Sequence, residues 1–237
     1  MPASRTATTT PHQPARRTRL EAAAQRENPL GLSQAQIIDA AYAMLGEHGL
    51  AGLSMRRLAQ DLGVQPGALY YYVASKQDLL AAVAVRILAD NPRPVTDTDP
   101  GRAACDIRRA LLHVRDGAEV VSFAHAFRPG TLAPFRELDQ LFARQFPPPQ
   151  ARWAAQTLIH YVLGFVAQEQ NHAELIRAQI LTGEPPHAHE PPDAFLFGVT
   201  AIMHGLITLA TRSSPVGDDE RSEDGTRAGE ALRQNCP

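Results

Sequence analysis

The sequence is poor in cysteine, and it has no long hydrophobic run. Two cysteines, Cys105 and Cys236, are too few and too far apart in the chain for a disulfide framework or a cysteine zinc site. No uninterrupted apolar stretch approaches the roughly 18 residues that a membrane span needs. The N-terminus also lacks the apolar core of a signal peptide. We therefore expect a cytoplasmic protein that does not enter a membrane.

The sequence also lacks a strong excess of either charge. Its 23 basic and 25 acidic residues give a net charge of -2, which excludes a uniformly basic surface for coating nucleic acid. Hydrophobic residues make up 44% of the 237 positions, enough for a soluble protein with a sizeable core. Residues 1–76 hold eight basic and five acidic residues, whereas the rest of the chain holds 15 basic and 20 acidic, so the positive excess lies at the N-terminus. Any site for a polyanion is therefore expected there.

Helical periodicity runs through the chain, and no segment reads as a strand, so the sequence predicts an all-α fold. Residues 1–30 contain few large apolar side chains and predict a flexible basic arm. Residues 31–90 predict a small unit of helices, and the proline-rich segment 91–101 separates it from a larger helical unit at 102–212. Residues 213–237 are polar and acidic, which predicts a disordered tail.

Small polar residues and glycines mark the expected helix ends in the first unit. Ser33 is expected to cap a helix that stops at Gly49. Ser54 is expected to cap a second, short helix that ends at Gly63. Ser75 then opens a capping box for a longer helix. This order predicts two short helices that meet at a tight turn, followed by a connecting helix.

The second short helix has a surface that suits the major groove of DNA. The small residues Gly67 and Ala68 allow close approach to base edges, and Gln65 has the chemistry to bind adenine. Tyrosine hydroxyls and Lys76 suit phosphate contacts, which fix position without reading sequence. Arg56 on the preceding helix has a forked guanidinium that can donate two hydrogen bonds to a guanine. The segment therefore predicts a helix-turn-helix DNA-binding unit.

This segment resembles the N-terminal domain of the TetR family of bacterial repressors. The shared pattern is carried by Leu62, Gly63, Val64, Leu69, Tyr70, Val73, Lys76, Leu79 and Leu80. The alternative is that Leu69, Tyr70 and Val73 only pack a helical core, and Tyr70 is expected to divide between core and phosphate. The resemblance implies a homodimer on a palindromic double-stranded operator. The DNA contacts that it implies are Arg56, Gln65, Gly67, Ala68, Tyr70, Tyr71, Tyr72 and Lys76.

The second unit is similar to the tetracycline-repressor branch of that family. The similarity lies in Arg115–Val120, in Arg128-Pro129, in Gln140 and in Ala194–Gly198. It implies a ligand cavity and a dimer formed through a four-helix bundle. Segments 153–167 and 195–209 are apolar on more than one face, which independently favours a second copy as partner. The matched pocket positions are Arg128, Pro129 and Gln140, and we expect Ile107, His125, Phe127 and Ile159 to complete the ligand-binding set.

Two departures from that branch concern the ligand. Its members bind a drug–magnesium chelate through a histidine and a carboxylate, and the matching positions here are Val121 and Gln168. Neither side chain is a strong ligand for a hard cation. We therefore expect no metal and no cofactor, and an inducer that is a small aromatic or antibiotic-like molecule.

An enzyme is the competing class. Glu169 and His172 have the spacing of half a di-iron site, but Glu184 and His187 repeat it only in a proline-rich loop that cannot be helical. No nucleophile–base motif or phosphate-binding glycine loop is present. We expect no catalytic residues, and a repressor that a small molecule releases from DNA. The alternatives are a DNA-binding regulator without an inducer and, from another class, a helical-bundle metal enzyme.

Overall fold

A computed structural model describes residues 32–89, 99–187 and 191–213, and every regular element in those ranges is an α-helix. The predicted all-α fold is confirmed. The predicted arm, most of the predicted linker and the predicted tail beyond Ser213 lie outside the described residues. In chain order the helices are α1 (Gln34–Gly52), α2 (Met55–Asp61), α3 (Pro66–Tyr72), α4 (Lys76–Ala89), α5 (Pro100–Leu112), α6 (Gly117–Phe127), α7 (Ala133–Phe142), α8 (Gln150–Arg177) and α9 (Asp193–Ser213).

The turn between α2 and α3 forms as the sequence predicts. Ser54 caps α2 by accepting a hydrogen bond from the backbone N–H of Arg57 at 3.2 Å. Gly63 ends the helix with a φ of 68°, a left-handed conformation that costs glycine little. The N–H of Val64 then donates to the carbonyl of Ala59 at 2.9 Å. These local bonds set the tight angle at which α3 leaves α2.

The predicted helix end at Gly49 is only a kink in the structure. Gly49 has a φ of 68° and a ψ of 179°, but the helix resumes and continues to Gly52. Beyond the kink, the N–H of Leu50 donates to Asp116 Oδ2 at 2.7 Å. A Cβ on Gly49 would lie 2.7 Å from that same oxygen. The backbone conformation therefore requires glycine, a side chain there would also displace the Asp116 carboxylate, and that distant carboxylate caps the resumed helix.

The core joins the predicted DNA-binding helices directly to the larger helical part that the sequence predicts at 102–212. Helices α1 to α9 all belong to one compact unit. Its N-terminal part closes around fully buried leucines and isoleucines, and α4 packs along α6 through its own buried face. Helix α8 contacts α5, α6, α7 and α9, so it is the central helix of the larger part. Helix α4 therefore belongs to both parts of the fold.

A buried ion pair ties α5 to α8 and to the segment before α9. The side chain of Arg108 is 1% exposed, and its Nη2 and Nε donate to Glu169 at 2.6 and 3.0 Å. Its guanidinium also donates to the carbonyl of His187 at 3.2 Å and lies 5.5 Å from the ring centre of Phe195. Because the charge has several partners, its burial is compensated.

Helix α9 contains a stretch of apolar composition that a search for uninterrupted apolar runs does not count. Residues Asp193–Thr211 of α9 are long and apolar enough, by length and composition, to cross a membrane, because scattered small polar residues interrupt the run without making it hydrophilic. Only 11% of this window is buried, and Phe197 and Leu209 are exposed.

We predict that Arg108→Met destabilises the protein by about 3–5 kcal/mol, because it leaves the Glu169 carboxylate largely buried without its partner. Denaturant unfolding at a fixed protein concentration measures this free energy. Arg136→Met is the control, since Arg136 is exposed and donates only to the carbonyls of Gly130 and Thr131. Equal unfolding free energies for the two variants would contradict a stabilising role for the buried pair.

Candidate nucleic-acid interface

One side of helix α3 packs against the core, and the other side is exposed to solvent. Leu69 is fully buried and Val73 is 3% exposed, so these two side chains anchor the helix to the core. Tyr71 is 87% exposed and Tyr70 51% exposed. A Cβ on Gly67 would meet nothing within 4 Å. The open side therefore presents a small-residue surface flanked by aromatic hydroxyls, which is what groove binding requires.

The predicted DNA contacts all lie within the described residues, and none of them is buried. Arg56, Gln65 and Gly67 are exposed, whereas Ala68, Tyr72 and Lys76 are half-buried. The exposure of Tyr70 agrees with its expected division between core and surface. The rings of Tyr71 and Tyr72 meet edge to face at 5.2 Å, which restricts both side chains. Their contacts with DNA remain predictions.

The predicted ligand-binding residues differ in burial. Ile107 and Ile159 are buried at 2% and 1% exposure, and His125 is half-buried. The remaining predicted residues are exposed, namely Phe127, Arg128, Pro129 and Gln140. The first three side chains are suited to an interior site, whereas the last four are exposed to solvent in a single chain.

His125 offers an unused polar atom to the interior. Its Nδ1 is buried and has no hydrogen-bond partner in the described part of the chain. The ring meets Phe135 edge to face at 5.0 Å. Burial lowers the pKa of His125 below its usual value, nearby His160 lowers it further, and Asp139 acts in the opposite direction. The imidazole is therefore neutral near pH 7 and able to hydrogen-bond a buried ligand.

The sequence did not predict the cluster of polar contacts at the corner between α5 and α6. Gln170 on α8 donates to the carbonyls of Leu111 and Val114, each at 2.9 Å, and accepts from the N–H of Ala118 at 3.0 Å. Arg115 in this corner donates to both carboxylate oxygens of Glu174, at 2.6 and 2.5 Å. The corner is thus fixed to α8. In the sequence, only the segment that starts at Arg115 and resembles the tetracycline-repressor branch pointed to this corner.

The residues that depart from the tetracycline branch, and those of the enzyme alternative, lie within the described residues. Val121 is fully buried, whereas Gln168 is exposed, so the two side chains lie in different environments. Glu169 is occupied by Arg108, so a metal at Glu169 would have to displace a buried ion pair. Among the described residues, no group of three or more histidine, cysteine or carboxylate side chains is arranged to hold a metal ion.

The comparisons with known proteins agree with this geometry. Residues 37–83, which span α1 to α4, match the model for bacterial regulatory proteins of the tetR family. The tetracycline repressor protein class D of Escherichia coli is 30% identical over 214 residues, covering 80% of this chain and 96% of the repressor. The chain belongs to the tetR family. It is therefore a DNA-binding transcriptional regulator.

Solved structures of other proteins extend the likeness through the second unit. Two structures of BioQ, one of the Mycobacterium smegmatis protein and one with its natural double-stranded DNA operator, are 34% identical, with TM-scores of 0.62 and 0.58. Each covers 75% of this chain and 99% of its own. A TetR variant from Acinetobacter baumannii AYE in complex with minocycline is 29% identical, with a TM-score of 0.58 over 76% and 98% of the chains.

We predict that Tyr71→Ala and Lys76→Ala each weaken binding to operator DNA without lowering the unfolding temperature, because each removes a phosphate contact. Arg56→Ala should instead relax base preference at one position by about 1–3 kcal/mol, the value of a bidentate guanine contact. Affinities are measured on a duplex that the protein enriches from a random library. Gln60→Ala is the matched control, since Gln60 is exposed on α2 outside the predicted set. Unchanged affinity and base preference in all three variants would reject this face.

Proposed function

We propose that this tetR-family regulator is a repressor that a small aromatic or antibiotic-like molecule releases from its operator. The observation that carries the proposal is the packing of α4 along α6. Helix α4 follows the predicted DNA-reading helix, while α6 carries His125 and Phe127 and ends at Arg128. A ligand that shifts α6 therefore acts on the DNA-binding helices through a direct contact. Because the proposed action is on DNA, we expect the protein in the cytoplasm.

The relatives support both halves of this proposal. The E. coli relative is named a tetracycline repressor, and the A. baumannii structure contains minocycline. The BioQ structure contains a double-stranded operator. For the present chain, the operator and the inducer are inferences from that kinship and from the surfaces described above.

The exposed apolar surfaces of α8 and α9 support a homodimer. Tyr161 on α8 donates to the carbonyl of Phe195 at 3.0 Å, which anchors the start of α9. Beyond this point Phe197 is 77% and Leu209 55% exposed, and Trp153 on α8 is 58% exposed. A soluble protein seldom leaves such a surface uncovered. A second copy would cover it and would present two copies of α3 to a palindromic site.

The interior chemistry supports an inducer without a metal. Ile107 and Ile159 are apolar, and Val121 stands where the tetracycline branch has a metal-binding histidine. The neutral imidazole of His125 offers one unused hydrogen-bonding nitrogen, which suits a ligand with a hydroxyl or carbonyl group. We infer that an aromatic ring system with one such group fits this interior, and that no cofactor takes part.

We predict that ligand release does not require magnesium. The protein is first used to enrich duplexes from a random library, and a palindrome with half-sites about one helical turn apart is expected. The enriched duplex is then titrated with tetracycline, minocycline and a panel of polycyclic phenols, with and without a metal chelator. The expected result is release that the chelator leaves unchanged. Release that the chelator abolishes would restore a metal-chelate inducer, and failure to enrich any duplex would contradict the function itself.

We predict that Phe197→Glu converts a dimer to a monomer at micromolar concentration, because it buries a charge in the proposed α8–α9 interface. Sedimentation velocity reports the mass directly. Val85→Glu is the control, because Val85 is also exposed and apolar but lies on α4. A wild-type monomer, or a Phe197→Glu variant that stays dimeric, would place the interface elsewhere.

A further inference from the structure

Helix α6 is attached to the DNA-binding helices by a polar contact at each of its ends. At its start, Asp116 Oδ2 accepts the N–H of Leu50 on α1 at 2.7 Å. At its end, Arg128 Nη2 forms an ion pair with Asp78 Oδ1 on α4. We propose that the Arg128–Asp78 pair is a latch that holds α3 and α4 in the position competent for DNA binding, while the Asp116–Leu50 contact is the pivot. This inference rests on the proposed function.

The contact at the start of α6 has little freedom. Asp116 adopts a left-handed conformation, with φ 56° and ψ 21°, and Gly49 opposite has no room for a side chain. The surrounding corner is fixed to α8 by the three hydrogen bonds of Gln170 and by the paired bonds of Arg115. A displacement of α6 is therefore accommodated least at this end, which suits a pivot.

The contact at the end of α6 is weaker and more accessible. The side chain of Arg128 is 53% exposed and that of Asp78 20% exposed. Arg128 follows the last residue of α6 outside helical conformation, and Gly130 beyond it has a φ of 82°. Solvent screens an ion pair of this exposure, so it shifts an equilibrium by only about two- to fivefold. Such a contact can be opened by a ligand with modest differential affinity.

Asp78 passes the effect of Arg128 to the DNA-reading helix. Its Oδ1 receives Arg128, while its Oδ2 accepts the hydroxyl of Ser75 at 2.7 Å and its N–H donates to Ser75 Oγ at 3.1 Å, forming the capping box that the sequence predicts. One carboxylate thus joins the end of α6 to the turn between α3 and α4. Arg128, Asp78 and Tyr72 also line one groove of about 340 Å³ between these elements. Opening the latch would therefore free the turn that directs α3.

The test compares two neutralising variants that have opposite electrostatic effects on DNA. Asp78→Asn removes a negative charge and keeps an acceptor for Ser75, whereas Arg128→Gln removes a positive charge. If simple attraction to phosphates governed affinity, Asp78→Asn would bind DNA more tightly and Arg128→Gln more weakly. The latch predicts that both weaken binding to the enriched duplex, by about two- to fivefold each. Arg136→Gln is the matched control, because it removes the same charge from the neighbouring helix α7, where Arg136 donates to the carbonyls of Gly130 and Thr131.

The double variant Asp78→Asn/Arg128→Gln separates the latch from a local capping effect. Loss of one shared contact predicts that the double variant binds no more weakly than the weaker single variant. Additive losses, or an Asp78→Asn variant that binds as tightly as wild type or more tightly, would overturn the proposal. Equal unfolding temperatures of all variants show that folding is unaffected. A wild-type protein that enriches no duplex would instead refute the proposed function, so the two failures are distinguishable.

Discussion

The packing of α4 along α6 is the contact on which the functional organisation depends. Helix α4 has a continuous buried face that includes Leu79, Val83 and Ile87, and this face is shared between the DNA-binding helices and the larger helical part. Because close-packed apolar surfaces transmit displacement instead of absorbing it, neither part can shift independently of the other. The polar contacts of Asp116 and Arg128 attach the two ends of α6 to α1 and α4, respectively.

The fold and the DNA-binding face were largely predictable from the sequence, because their determinants are local. Ser54, Gly63 and Ser75 act within three or four residues of themselves, and the apolar anchor Leu69 leaves the rest of α3 open by helical spacing alone. The exposures of Tyr70 and Tyr71 follow from that spacing.

The parts that could not be predicted depend on contacts between residues distant in the chain. The pairs Arg108–Glu169 and Leu50–Asp116 join residues 61 and 66 positions apart, and no local pattern marks them. Gly49 looked like a helix stop, but its partner Asp116 allows the helix to resume. The exposed apolar face of α9 was, by contrast, predictable at 195–209, because apolar residues there recur on more than one side of the helix.

The central claim, that ligand binding at α6 moves the DNA-binding helices, is tested most directly by the distance between the two copies of these helices in the proposed dimer. Spin labels at Gln60, one on each protomer, would report this distance by pulsed electron resonance, since Gln60 is exposed on α2. The account predicts one narrow distribution on the enriched duplex and a shifted distribution after addition of a compound that releases the duplex. Release of the duplex with no change from the DNA-bound distribution would contradict it.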